Sequence, residues 1–280
     1  MRKSVILNIA VATIALASAT FFYAQYQTSQ HLISLHHQAT ETGLTANPSW
    51  QPPTTLPAPV LRYFNFTFPD KIPRAAVIKV EMSGEFRRPQ QDTFSFTTAR
   101  QTLTPATPAM VFEARTPVFS NIWALAYDAY LNGQMEMKAK ILSALTIMEQ
   151  PATPELDRIS LRRWLLEAPL YPQALLPSRY VRWEAIDNNH ARVIARYKGL
   201  TTSLIADIDA QGKLKSLRAE NDGDLTTPYH GSGEYAARSD YRMINGMMIP
   251  HKFSIARHAK GTDYPFWHGE INDYQISYYP

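Results

Sequence analysis

Arg2 and Lys3 are followed by a run from Val5 to Tyr26 without a single charged residue, and no other stretch constrains the chain as strongly. About 20 mostly apolar residues can cross a bilayer as one helix or act as a secretory signal. In both cases the two cations stay on the cytoplasmic side and everything after residue 26 is placed across the membrane. Ala17-Ser18-Ala19 has the small-residue spacing of a cleavage site. The apolar run continues past it through Phe21, Phe22 and Tyr23, beyond the roughly 7–15 residues of a signal core, which favours an uncleaved anchor at residues 1–26.

The remaining residues must build an ordinary core, because the chain has no cysteine for disulfides or lipidation. About 250 residues are enough for one large domain. The formal charge of +4 falls to +2 once Arg2 and Lys3 are set aside, and no basic run remains to follow a phosphate backbone. Nucleic acid is therefore not an expected partner.

Residues 27–59 turn polar, with His31, His36 and His37, then Pro48, Pro52, Pro53, Pro57 and Pro59. The pattern reads as a juxtamembrane helix tail followed by a stiff, extended spacer. Two adjacent imidazoles without a third ligand do not make a metal site, and no metal or cofactor is expected.

From residue 60 to 280 the expectation is a single exported, β-rich domain. AVIKVEM, TFSFTTA and MVFEA mix β-branched and aromatic residues between turn signals, and Asn132-Gly133 and Asn245-Gly246 mark tight hairpins. In QMEMKAKI, Met135, Met137, Ala139 and Ile141 share one face and Glu136, Lys138 and Lys140 the other. About ten strands with no alternating helices predict a mainly β, antiparallel curved sheet or half-barrel. One segment differs. Thr153 as N-cap, Pro154 at the first helical position and the stripe Leu161, Trp164, Leu165, Ala168 predict a helix that the sheet wraps around, stopped by Pro169 and Pro172.

Two strings resemble a bacterial family of unknown function: LPAPVLRYF at residues 56–64 and RWLLEAPLYPQALLP at residues 163–177, together with the terminal Phe266-Trp267-His268-Gly269. The resemblance covers about residues 56–278 and brings no activity with it. Phe112 stands where that family tends to carry Trp. The expected shape also looks like the half-barrels of periplasmic lipoprotein carriers, whose open sheet holds acyl chains. With the N-terminal run, the expectation is a bacterial inner-membrane protein with a single span and its C-terminal domain in the periplasm or outside the cell.

The candidate binding residues follow from these strings. Arg163 or Arg162 would meet a lipid or carboxylate headgroup, with Glu167 beside Arg163 as its i,i+4 partner, while Trp164, Leu165, Tyr171 and Leu175 would line an apolar cleft. The competing interpretation makes the charged pair a surface feature and the apolar residues core. Asp128 and Tyr130 alternate onto one strand face, and a buried carboxylate there needs a cationic partner. Trp267 and His268 would form an aromatic rim. No GxSxG, HExxH, P-loop or catalytic cysteine occurs, and His230 with Glu234, Asp240 or His268 is the only residual acid–base or metal pattern. The expectation is a membrane-anchored protein holding a lipid-like or apolar ligand; the alternatives are a module docking another envelope protein, or an enzyme.

Overall fold

The computed structural model describes residues 2–48, 55–89, 91–223, 225 and 233–279. Helix α1 runs without interruption from Arg2 to Thr45. It does not end at the apolar run. Its second half buries Thr28, Leu32, Leu35, Ala39 and Gly43 against the domain, a stripe of three- and four-residue steps along one helix face. The chain leaves the helix only toward Pro48; residues 28–43 are the helix tail that the sequence suggested, but docked on the domain and not free of it. Gly43 makes the close approach possible: a Cβ there would stand 2.5 Å from the Ala76 carbonyl oxygen and from Val77 Cγ2.

Thirteen antiparallel strands form one sheet: β1 (Ala75–Arg87), β2 (Phe94–Thr104), β3 (Ala109–Phe119), β4 (Ile122–Leu131), β5 (Gln134–Ile141), β6 (Leu145–Gln150), β7 (Val181–Ala185), β8 (His190–Tyr197), β9 (Leu200–Ile208), β10 (Leu214–Arg218), β11 (Tyr235–Ile244), β12 (Met247–Ala259) and β13 (Thr262–Tyr278). Their spatial order is β6-β5-β4-β3-β2-β1-β13-β12-β11-β10-β9-β8-β7. The first and last strands pair at the centre, and two meanders extend from them to opposite edges. Asn132 and Gly133 turn the chain with φ of 53° and 86°, as the left-handed Asn-Gly hairpin demands. β6 went unanticipated because its turn uses Leu142 and Ser143 at φ of 53° and 58°, residues that do not advertise that backbone region.

The sheet is strongly curved. Beside the β4–β5 turn, a Cβ on Gly133 would lie 2.9 Å from the Lys198 side chain of the β8–β9 turn, and the rings of Tyr130 and Tyr197 are 6.4 Å apart. One end of the concave face is thereby pinched shut. Helix α3 (Pro154–Glu167) carries the chain from one sheet edge to the other across that face. Thr153 caps it, its side chain accepting from the Leu156 N–H at 3.2 Å. Two 3₁₀ turns, Ala168–Leu170 and Pro172–Leu175, continue it. Helix α2 (Ala58–Thr67) buries Val60, Tyr63, Phe64 and Thr67, a helical i, i+3, i+4, i+7 set within the proline-rich stretch read above as spacer and strand.

Two cores result. The larger fills the concave side around Trp164, Leu165, Leu166, Tyr171 and Leu175. The smaller joins Leu32, Leu35 and Ala39 of α1 to Val111, Leu125, Tyr127 and Ala129 on the convex side of β3 and β4. His36 donates to or accepts from Thr102 Oγ1 at 2.8 Å and His31 meets Glu136 at 2.8 Å, while His37 faces out toward Glu41. The paired imidazoles diverge.

Candidate functional site

The concave face is not filled everywhere. Helix α3 packs mainly on β9 and touches β4, β5, β8 and β11 only lightly, so toward the β3–β4 turn the inner face of β2 to β5 lies beyond the helix. On those strands the inward positions include Ala114, Ala124, Ala126 and Ala139, each too short to reach across. A cavity of about 350 Å³ remains. Met82, Phe86, Phe112, Met137, Phe253 and Trp267 form much of its apolar wall. Small residues opposite an absent helix are the physical reason for the void.

The inner end of the cavity is polar. Arg163 donates from Nε to Glu167 Oε1 at 2.7 Å and from a guanidinium nitrogen to Asp128 Oδ2 at 2.7 Å. Its guanidinium lies 4.4 Å from the centre of the Phe112 ring, a cation–π contact that Phe supplies without the indole N–H of Trp. Gln101 donates to the other Glu167 oxygen. Arg238 donates to the Leu166 carbonyl at 3.0 Å, placing a cation at the C-terminal end of α3 where the helix dipole favours it. Burial raises the Asp128 carboxyl above its ordinary value, and Arg163 opposes that rise. Gln101 Oε1, Asp128 Oδ1 and Arg238 Nε have no hydrogen-bond partner among the described residues. All three residues line the cavity.

Of the residues singled out in the sequence, Arg163, Glu167, Asp128 and Trp267 meet at this cavity. Trp164, Leu165, Tyr171 and Leu175 do not. They are at most 1% exposed and belong to the core beneath it. Arg163 and Glu167 share one face of α3, and the 100° step per residue turns Trp164 and Leu165 away from it. Trp164 Nε1 donates to the Thr104 carbonyl at 3.1 Å, Tyr171 bonds the Trp164 carbonyl, and Leu175 accepts from Trp183 Nε1 at 2.8 Å. The charged pair is in turn no surface feature, with side chains only 11% and 12% exposed. Tyr130 sits at the pinched end, and His268 points outward to the Phe94 ring at 5.5 Å. Phe266 and Trp267 are both inside because the register slips between Ile255 and Ala256 opposite them.

The described members of the acid–base pattern do not come together. His230 lies outside the described residues. Glu234 is buried with Arg162 at 3.0 Å and Arg257 at 3.1 Å, and Asp240 pairs with Arg242 on the surface. Among the described residues no group of three His, Asp or Glu side chains could hold a metal. Sequence reasoning missed Gln101, Arg238, Phe253 and the alanines. The alternation of Ala124, Ala126 and Asp128 along one strand face was a usable signal for the void; nothing marked Arg238.

A family model described as a family of unknown function, DUF6920, matches residues 54–278, and the chain belongs to that family. No curated protein matches it significantly. Among solved structures, the LolA superfamily protein NE2245 from Nitrosomonas europaea is similar at 10% identity and a TM-score of 0.43, covering 81% of this chain and 96% of its own.

Proposed function

We propose that this DUF6920 protein is an envelope protein anchored in a bacterial inner membrane by residues 5–26, whose exported domain holds a lipid-like ligand. The carrying observation is the cavity on the alanine-rich inner face of β3 to β5, walled by aromatic and methionine side chains and ending in buried polar groups. Apolar walls with a few convergent polar groups are what a ligand with a hydrocarbon body and a polar head requires. The head's chemistry follows from the charge of the floor. Arg163 and Arg238 balance Asp128 and Glu167 in formal charge, and Gln101 adds a neutral amide. A neutral head that both donates and accepts, an amide or hydroxyl, suits this floor better than a bare anion.

An unfilled sheet interior also favours a small ligand over a module that only docks another envelope protein, for which the concave face would be expected to be full. The test is retention. The full chain, extracted from membranes and delipidated of loose lipid, should carry an organic-extractable apolar molecule in near-stoichiometric amount by mass spectrometry. Ala126→Trp, which fills the cavity from the strand side, should lower that amount at least about tenfold, one decade per 1.4 kcal/mol of lost binding, with the circular dichroism unchanged. Equal retention by the variant would reject the cavity as the site.

A further inference from the structure

The long helix does more than tether. Residues 5–24 and the docked residues 28–43 belong to one uninterrupted helix, so the direction of the membrane span fixes the orientation of the domain. At about 1.5 Å per residue, residues 5–24 cover roughly 30 Å, the thickness of the hydrocarbon core. Tyr23 and Tyr26 then fall at the interface, where aromatic rings concentrate. At this level Gln25 Nε2 donates to the Leu142 carbonyl at 2.7 Å, so the β5–β6 turn lies beside the helix where it enters the membrane.

Strand register places further turns at that end of the sheet. Ala124 pairs with Ile141, Thr116 with Ala124 and Thr98 with Arg115, so the tip of β3–β4, the start of β2 and the start of β6 point the same way as Leu142. That end carries Phe119 at 73% exposure, Leu145 at 65%, Phe96 at 60% and Ile147 at 57%. The cavity opens toward the same end: Arg88, Pro89, Val118, Ile147 and Met148 line its outer part, and the polar floor lies deeper along the strands. The opposite end of β4 and β5 is the pinched one. Arg87, Arg88 and Asp92 mix both signs at the rim, so apolar contact and not charge would hold it to lipid.

We propose that the hairpin tips bearing Phe119 and Leu145 sit in the surface of the very bilayer that α1 crosses, with the cavity mouth facing that membrane. A ligand could then pass between bilayer and cavity without crossing water. The orientation rests on the continuity of α1; its use in loading rests on the ligand reading above. The absence of cysteine makes the test direct. Phe119→Cys, Leu145→Cys and Gln134→Cys, the last at the pinched end of β5, would each carry an environment-sensitive fluorophore in the full chain. The protein would be reconstituted in phosphatidylethanolamine–phosphatidylglycerol vesicles with and without nitroxide-labelled lipid.

Side chains buried roughly 5–10 Å into the headgroup boundary are within reach of such a quencher, so labels at 119 and 145 should lose at least about half their emission and the label at 134 almost none. A flexible Gly-Ser insertion between Tyr26 and Gln27 should remove at least about half of that contrast by uncoupling domain from span. Equal quenching at all three positions, or none at 119 and 145, overturns the orientation. Mass spectrometry of the same preparations separates the two readings. Quenched tips without bound lipid would reject the ligand and keep the orientation; bound lipid with unquenched tips would do the reverse.

Discussion

Arg163→Met is the most informative single change in the floor of the cavity. Methionine keeps most of the side-chain volume but removes the one cation shared by Asp128 and Glu167, whose side chains are 3% and 12% exposed. Breaking a buried pair by deleting one partner costs about 3–5 kcal/mol, because the remaining charge stays buried. Loss of the contact with the Phe112 ring adds about 1 kcal/mol. The sum, about 4–6 kcal/mol, is a large part of the roughly 5–15 kcal/mol that stabilises a domain.

The penalty has a definite pH dependence. Burial already raises the folded-state carboxyl of Asp128 above 3.8, and without Arg163 it rises further. A carboxyl raised in the folded state binds more protons there than in the unfolded state, so its cost is absent below 3.8 and grows as pH rises from 3.8 through the folded value. Urea unfolding of the full chain in micelles, followed by tryptophan fluorescence at about pH 4 and about pH 7.5, should show the larger loss at the higher pH. Adding Asp128→Asn and Glu167→Gln should restore at least half of it, since a neutral floor no longer needs the cation. A pH-independent loss below about 1 kcal/mol, or no recovery in the triple variant, would refute the argument.

Other outcomes follow from the docked helix and the core. Gly43→Val forces a methyl-bearing carbon against the Ala76 carbonyl and should destabilise α1 docking by about 2–3 kcal/mol. Hydrogen exchange of residues 28–45 reads this directly. Burial, with Arg100 and Lys79 nearby, lowers His36 from 6.5 to about 4, despite Glu113 at 3.9 Å. Its contribution is present above 6.5 and is lost as pH falls toward 4, so the protection of these amides relative to their intrinsic exchange should fall over that window and not in His36→Gln. Leu165→Asp, which would only empty a cleft had Leu165 lined one, should instead unfold the domain, costing at least about 4 kcal/mol, as thermal melts would show.

The parts legible in the sequence were those coded by neighbours along the chain. Thr153 and Pro154 start α3 through local hydrogen bonding and dihedral preference, Asn132-Gly133 bends a hairpin through the left-handed region, and alternation assigns Ala126 and Asp128 to one face. Each signal spans a few residues. The Leu142-Ser143 turn has the same geometry with none of the favoured residues, so β6 was invisible, and α2 was masked by prolines that in fact open it.

What the sequence by itself determined is therefore a long apolar N-terminal run, an antiparallel mainly β domain and one amphipathic helix, because period and turn chemistry are local properties. Only the tertiary structure decided that Arg163, Glu167 and Asp128 meet Gln101 and Arg238, residues from three strands and a helix separated by up to 137 positions. It alone decided that Trp164 and Leu165 lie under the site and not in it, and that the helix tail after the apolar run docks on the domain at Gly43. The physical reason is common to all three. Where a side chain ends up depends on which distant surface the curved sheet brings to it, and curvature accumulates over thirteen strands, from twist, bulges and small inward residues that no single segment specifies.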